Sequence, residues 1–279
     1  MNPTSRYLTC AGRELHFMEW GAEHAETVVA WHGLARTGRD MDDIAAHLAQ
    51  RYRVICPDTL GRGLSQWSPD PGREYCLDFY VELAVALLAQ LQVTECLWLG
   101  TSMGGAIGLR AAATRLRGRI RKLVLNDIGP QLAVSAVQRI RSYAGSPASF
   151  ATVSELEAYF RTIYAPYGWL SDDQWRRLTE SSVRRLPDGR VTPHYDPAMV
   201  RQFIDHPDDY EQWAHWDTLE IPVLCLRGEH SDLLEPEVAE QMRQRGPQAV
   251  VVQIAGCGHA PALNVPAHFA LVERFLVGT

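Results

Sequence analysis

The 279-residue sequence has no C-x-x-C pair, no apolar run of membrane length, no Walker pattern and no G-x-G-x-x-G at a strand–helix junction. Each absence removes a class of function. The six cysteines, Cys10, Cys56, Cys76, Cys96, Cys225 and Cys257, show no zinc-ligand spacing with histidine. Four of them fall in or beside apolar runs, where a free thiol packs as a small hydrophobe. They read as reduced thiols of a cytoplasmic protein. The first ten residues hold no apolar signal-peptide core. The most apolar helix-like stretch, Val81 to Val93, carries Glu82, Gln90 and Gln92, so no membrane insertion is expected. A basic excess is missing too. Lys plus Arg is 27 against 33 for Asp plus Glu, a formal charge of −6. Phosphate backbones need clustered cations, so no nucleic acid partner is expected. The cluster Arg115, Arg117, Arg119 and Arg121 is flanked by apolar residues and reads as a solvated helix end.

A hydrophobic content of 46% with 22% charged residues is ample for a buried core. Short apolar runs alternate with longer helical patterns. Leu15 to Trp20, Val28 to Trp31, Val54 to Cys56, Cys96 to Leu99, Leu123 to Leu125, Val223 to Leu226 and Val250 to Ile254 read as strands. Several are continuous Val, Leu and Ile runs, which suit strands covered on both faces. Helical patterns at Met41 to Gln50, Leu77 to Leu91, Met103 to Ala113, Pro236 to Arg245 and Pro266 to Val277 fill the gaps. That alternation predicts an α/β class with a mostly parallel sheet. One interval breaks the rhythm. Residues 131–216 show helical patterns without a strand, and are rich in aromatics such as Phe160, Tyr164, Tyr167, Trp169 and Trp175. They are expected to form a helical cap inserted in a core made of 1–130 and 217–279. The arginines of this interval read as solvated helix faces.

The strongest chemical signal is Gly100-Thr101-Ser102-Met103-Gly104, a G-x-S-x-G between an apolar strand and a helical pattern. Such a turn forces the serine into strained geometry and exposes its hydroxyl at a helix N-terminus, so its flanking residues must be small. Ser102 is the expected nucleophile. A serine needs a base. Of ten histidines, His259 lies in Gly258-His259-Ala260-Pro261, just after the last strand run, where an α/β sheet places its site. The orienting acid is expected at Asp232, after the strand Val223 to Leu226, because the order Ser102, Asp232, His259 suits this topology. Asp127, after the strand ending at Leu125, and Glu229 are its rivals. The oxyanion donors are expected to be the backbone N–H groups of Met103 and Leu34, the latter in the loop His32-Gly33-Leu34. His32 reads as a brace of that loop.

Together these segments resemble the α/β-hydrolase superfamily over nearly the whole chain. His32-Gly33 resembles its oxyanion loop, Asp58-Thr59-Leu60-Gly61-Arg62-Gly63-Leu64-Ser65 its D-x-x-G-x-G-x-S segment, and Gly100 to Gly104 its nucleophile elbow. The segment from Arg227 to Asp232 resembles its acid loop, and Gly258 to Pro261 its histidine loop. The resemblance implies an eight-stranded, mostly parallel sheet with an inserted helical lid. Ser102 stands where epoxide hydrolases and haloalkane dehalogenases carry Asp, and Ala35 replaces the proline of H-G-x-P. The tryptophan that follows the histidine in carbon–carbon bond hydrolases is absent here. The pattern therefore sits with the serine esterase and lactonase branch.

The expected activity is hydrolysis of a small-molecule carboxylic ester or related acyl substrate through an acyl-enzyme. No metal or organic cofactor is implied. The rivals are carbon–carbon cleavage of a vinylogous diketone by the same triad and a non-catalytic ligand-binding hydrolase fold. Nothing in the pattern fixes an oligomeric state.

Overall fold

The computed structural model describes residues 2–278, apart from the side chain of Tyr143. Its central element is an eight-stranded sheet. The first two strands, β1 (Thr4–Cys10) and β2 (Arg13–Trp20), pair antiparallel. They are joined by Ala11 and Gly12, both at positive φ (47° and 78°), as a two-residue hairpin turn requires. β1 is an exposed edge strand with no apolar run, which is why its sequence lacks a strand signal. Then follow β3 (Thr27–Trp31), α1 (Asp42–Leu48), β4 (Arg53–Pro57), α2 (Pro71–Glu74), α3 (Leu77–Gln90), β5 (Cys96–Thr101), α4 (Met103–Ala113) and β6 (Ile120–Asn126). The strand order is completed by β9 (Val223–Gly228) and β10 (Val250–Ile254), giving β1-β2-β4-β3-β5-β6-β9-β10. β2 is antiparallel to β4, and every pair from β4 to β10 is parallel.

Both faces of the parallel strands are covered, which explains their unbroken apolar sequences. On one face α1 and the last helix, α11 (Pro266–Val277), bring Ile44, Leu48, Val272 and Leu276 onto Val28, Val54, Leu99 and Leu226. On the other, α3, α4 and α10 (Pro236–Gln244) bring Leu83, Leu87, Ile107, Leu109 and Met242 onto Trp31, Trp98, Leu123 and Cys225. The stacked rings of Trp31 and Trp98 lie 5.4 Å apart at the centre of this layer. All six cysteines are free and buried. Among the described residues no helix is long and apolar enough to cross a membrane.

Between β6 and β9 the chain forms α5 (Val134–Ala144), α6 (Val153–Ile163), α7 (Asp172–Glu180), the hairpin β7 (Val183–Arg185) and β8 (Val191–Pro193), α8 (Gln202–Asp205) and α9 (Trp213–Trp216). α7 begins with a capping box in which Ser171 and Gln174 bond each other's backbone N–H. The interval 131–216 is expected from its sequence to hold no strand, yet α7 stops at Glu180 and the residues after it pair as a strand. The reason is local. Pro187-Asp188-Gly189 makes a turn, with Asp188 accepting from the Arg190 N–H, and it folds the chain back on itself. Only part of this interval has its own core. Leu156, Phe160, Trp175, Leu178 and Val191 cluster together, while Ala136, Ile140, Met199 and Phe203 pack into the main core.

Candidate active site

Ser102 sits between β5 and α4 with φ 50° and ψ −118°, a conformation costly for a residue with a side chain. The surrounding packing enforces it. A Cβ on Gly104 would lie 2.3 Å from the Trp31 carbonyl oxygen, and one on Gly100 would lie 2.3 Å from the backbone of Gly104. Only glycine allows strand and helix to approach so closely at this corner. The turn lifts the Ser102 hydroxyl to the carboxyl edge of the sheet, 2.9 Å from Nε2 of His259. His259 is carried by the loop after β10. That loop is anchored from two sides: Asn126 donates to the Pro261 carbonyl at 2.8 Å, and Gly258 donates to the Pro166 carbonyl at 2.7 Å.

The acid is a correction to the sequence expectation. Nδ1 of His259 meets Oδ2 of Asp127 at 2.7 Å, and Asp127 is fully buried. Asp232 is not brought to the histidine. It is exposed and forms an ion pair with Arg139 at the surface. The cause is the turn after β9, where the Ser231 N–H bonds the Gly228 carbonyl at 3.0 Å. This turn directs Ser231 inward, and its hydroxyl donates to Oδ2 of Asp127 at 2.6 Å. Oδ1 of Asp127 accepts from the Gly228 N–H at 2.8 Å. Glu229 also stays away from the imidazole and accepts instead from the Gly256 N–H. Asp127 at φ 57° is one more strained residue at the end of a central strand. With a carboxylate accepting from Nδ1–H, the histidine presents Nε2 as an acceptor to the serine hydroxyl.

The loop His32-Gly33-Leu34 lies against the elbow, since a Cβ on Gly33 would be 3.7 Å from that of Ser102. His32 is fully buried and accepts from the Thr59 N–H at Nε2, so its Nδ1–H donates to the Gly33 carbonyl at 2.6 Å. Burial pushes its pKa down to about 4, against the opposing pull of Asp58, so the ring is a neutral, fixed brace. Asp58 is buried as well. It holds the N–H groups of Gly38 and Leu64 and the imidazole of His16. Burial alone would raise its pKa, but the His16 bond and charge outweigh it and hold the carboxyl below its usual range. The N–H of Leu34 has no acceptor among the described residues, and that of Met103 is the first of its helix, without an intrahelical partner. Both are available to a ligand. No group of three or more His, Cys, Asp or Glu that could hold a metal ion occurs among the described residues.

Comparison with known proteins agrees with this fold. A family model described as alpha/beta hydrolase fold matches residues 26–264. The chain belongs to the α/β-hydrolase family. It is 40% identical over 272 residues to a 3-hydroxybutyrate-oligomer hydrolase of Cupriavidus necator, covering 94% of this chain and 92% of that one. It is also 40% identical over 236 residues to a 2-hydroxymuconate semialdehyde hydrolase of a Pseudomonas species, covering 84% and 79%. An α/β hydrolase of Novosphingobium aromaticivorans superposes with a TM-score of 0.83 at 31% identity, over 98% of each chain. The chain is thus a hydrolase of the α/β family.

Within that family frame, one residue at the site carried no signal in the sequence. Arg62, named there only within the D-x-x-G-x-G-x-S segment, is a fully buried guanidinium with no carboxylate partner among the described residues. Its Nε donates to the Leu34 carbonyl at 2.9 Å, and its Nη1 to the Leu60 carbonyl and the Tyr80 hydroxyl. Its Nη2 lies 3.6 Å from the Met103 sulfur, and its plane faces the rings of Tyr75 and Tyr80. It therefore touches both Leu34 and Met103, the two residues whose N–H groups stand without an acceptor among the described residues. A basic residue between two turn glycines gives no such hint in one dimension.

Proposed function

We propose that the protein hydrolyses carboxylic esters of short hydroxyacids, with Ser102 as nucleophile, His259 as general acid and base, and Asp127 as the orienting carboxylate. The observation that carries this reading is the continuous hydrogen-bonded chain from Asp127 through His259 to Ser102, at 2.7 and 2.9 Å. Ser102 Oγ attacks the ester carbonyl while Nε2 takes its proton, and the Asp127 carboxylate stabilises the imidazolium that results. The amides of Leu34 and Met103 receive the oxyanion, each worth roughly 2.7–4 kcal/mol of transition-state stabilisation. His259 then returns its proton to the leaving alcohol. Water then attacks the acyl-enzyme carbonyl while Nε2 takes its proton, and that proton passes to Ser102 Oγ as the bond to the acyl group breaks and the acid leaves. The segment 131–216 acts as the cap over this site, with its turn at Pro166 and Tyr167 bonded to the histidine loop. The substrate class is taken from the likeness to the 3-hydroxybutyrate-oligomer hydrolase.

The test is hydrolysis of the 3-hydroxybutyrate dimer and of a chain-length series of p-nitrophenyl esters, with Ser102→Ala beside the wild type. Turnover lost in the variant supports the reading, and turnover that survives in it refutes the nucleophile. The likeness to a 2-hydroxymuconate semialdehyde hydrolase makes carbon–carbon cleavage the second reading. Loss of dienoate absorbance from a ring-fission substrate, without ester turnover, would favour it. A fluorophosphonate probe that fails to label Ser102 would point to a non-catalytic fold.

A further inference from the structure

Arg36, four residues beyond the brace His32, is only 3% exposed. Its Nε and Nη2 donate to the two carboxylate oxygens of Asp40 at 2.6 and 2.7 Å, and Nη2 also donates to the Ser182 hydroxyl of the inserted segment at 2.9 Å. The rings of Tyr164 and Phe160 cover the guanidinium at 4.7 and 5.4 Å. The remaining nitrogen, Nη1, is buried and has no acceptor among the described residues. Buried donors of this kind are rare, and those without a partner mark places where another group belongs. Arg36 lines a cavity of about 50 Å³ between the oxyanion loop, the histidine loop and α7. Gly33 and Thr101, the neighbours of Ser102, line it too. A Cβ on Gly33 would touch the Ser102 Cβ at 3.7 Å on one side and the Arg36 Cγ at 4.0 Å on the other. At about 10–15 Å³ per water, this space holds the equivalent of three to five waters, which suits one acid terminus and not an extended chain.

We propose that the Nη1 edge of Arg36 is a carboxylate subsite, and that the favoured substrates are esters ending in a free carboxylate on the side of the scissile bond that enters this cavity. The inference rests on the ester-hydrolase reading above. Arg36, Arg39 and Arg177 line the cavity, each paired with a carboxylate, Asp40, Asp42 and Asp43 in turn, and Nη1 of Arg36 is a donor left without an acceptor among the described residues. Asp40 occupies the Nε side of the planar guanidinium, so an incoming carboxylate meets the opposite end of a fork already held rigid. The same bonds tie the subsite to Ser182, so an anionic substrate would join the oxyanion loop to the cap.

The experiment compares the 3-hydroxybutyrate dimer with its terminal carboxamide, an uncharged isostere carrying the same ester bond. The wild type is expected to show a KM lower for the acid by about tenfold to a hundredfold, the range of a charge-assisted hydrogen bond. Arg36→Gln is expected to bring that ratio toward one, Arg36→Lys to keep part of it, and Ser182→Ala, which removes only the bond to the cap, to keep it. Equal KM values in the wild type would overturn the proposal. So would a parallel loss on both substrates in Arg36→Gln with the ratio preserved, because a clasp between core and cap predicts that result. If the wild type cleaves neither ester, the ester reading fails by itself. The subsite is then decided by calorimetric binding of 3-hydroxybutyrate and its amide to Ser102→Ala, where equal affinities overturn it.

Discussion

Replacing Asp127 by Asn separates the two candidate acids by orders of magnitude. In the wild type, Oδ1 of Asp127 accepts from the Gly228 N–H, and Oδ2 faces both His259 and Ser231. An asparagine in this buried position keeps its amide oxygen toward the Gly228 donor, so its NH₂ faces Nδ1 of His259. The imidazole then holds its proton on Nε2 and donates to Ser102 instead of accepting from it. A wrong tautomer in this arrangement costs about 10⁴ in kcat in well-studied triads, equivalent to about 5.5 kcal/mol of activation free energy. The geometry at Ser102 should survive, because the substitution is isosteric and the Ser231 hydroxyl can turn to accept. Asp232→Asn removes only an exposed ion pair with Arg139, a class worth at most about 1 kcal/mol to stability and nothing to the tautomer. The assay is kcat on p-nitrophenyl acetate for both variants, with thermal melts to establish that each is folded. A fall of three to four decades is expected for Asp127→Asn and less than about threefold for Asp232→Asn. The reverse pattern would refute the acid assignment. Equal large losses would show that the loop after β9 moves to deliver Asp232 during turnover.

Two further outcomes follow from buried charges. Arg62→Met removes the bond to the Leu34 carbonyl, so the oxyanion loop loses its anchor. It is expected to lower kcat by about tenfold to a hundredfold with little change in KM, and to weaken a boronic acid analogue of the tetrahedral intermediate in parallel, with Arg62→Lys recovering part of both. A changed KM with unchanged kcat would count against a role at the oxyanion. Asp42 is the second case: burial raises its pKa to about 6, against the opposing charge of Arg39. A carboxyl with a pKa higher in the folded than in the unfolded state makes stability fall as pH rises from about 4 through 6. Asp42→Asn removes this loss, so its unfolding free energy, followed by denaturant melts, is expected to gain on the wild type across that interval, by roughly 3 kcal/mol at most above pH 7. A difference independent of pH would contradict the origin in Asp42.

Much of the molecule was legible in one dimension because its determinants are local. The parallel strands announce themselves as unbroken apolar runs, since each is buried on both faces. The elbow is legible because strand, strained turn and close packing demand glycine at Gly100 and Gly104 within five residues. His259 is legible from its place after the last central strand. The edge strand β1 and the hairpin β7–β8 were missed for the opposite reason. One is solvated on most of its length, and the other depends on a short turn that ends a helical pattern.

The acid could not be decided in this way. Asp127 and Asp232 both follow central strands at the carboxyl edge of the sheet, and nothing within either segment ranks them. Their difference arises where β6 and β9 lie side by side. There one backbone turn sends Ser231 inward and Asp232 to solvent, and the Gly228 amide fixes the Asp127 carboxylate toward the imidazole. Arg62 and Arg36 are of the same kind, ordinary arginines in the sequence whose partners lie up to 41 and 146 residues away. The sequence by itself determined the layers, the elbow that carries Ser102 and the loop that carries His259, because local sterics and burial write those into neighbouring residues. Only the tertiary structure decided which carboxylate completes the chain and which cations surround it, because hydrogen bonds between distant segments leave no periodic trace.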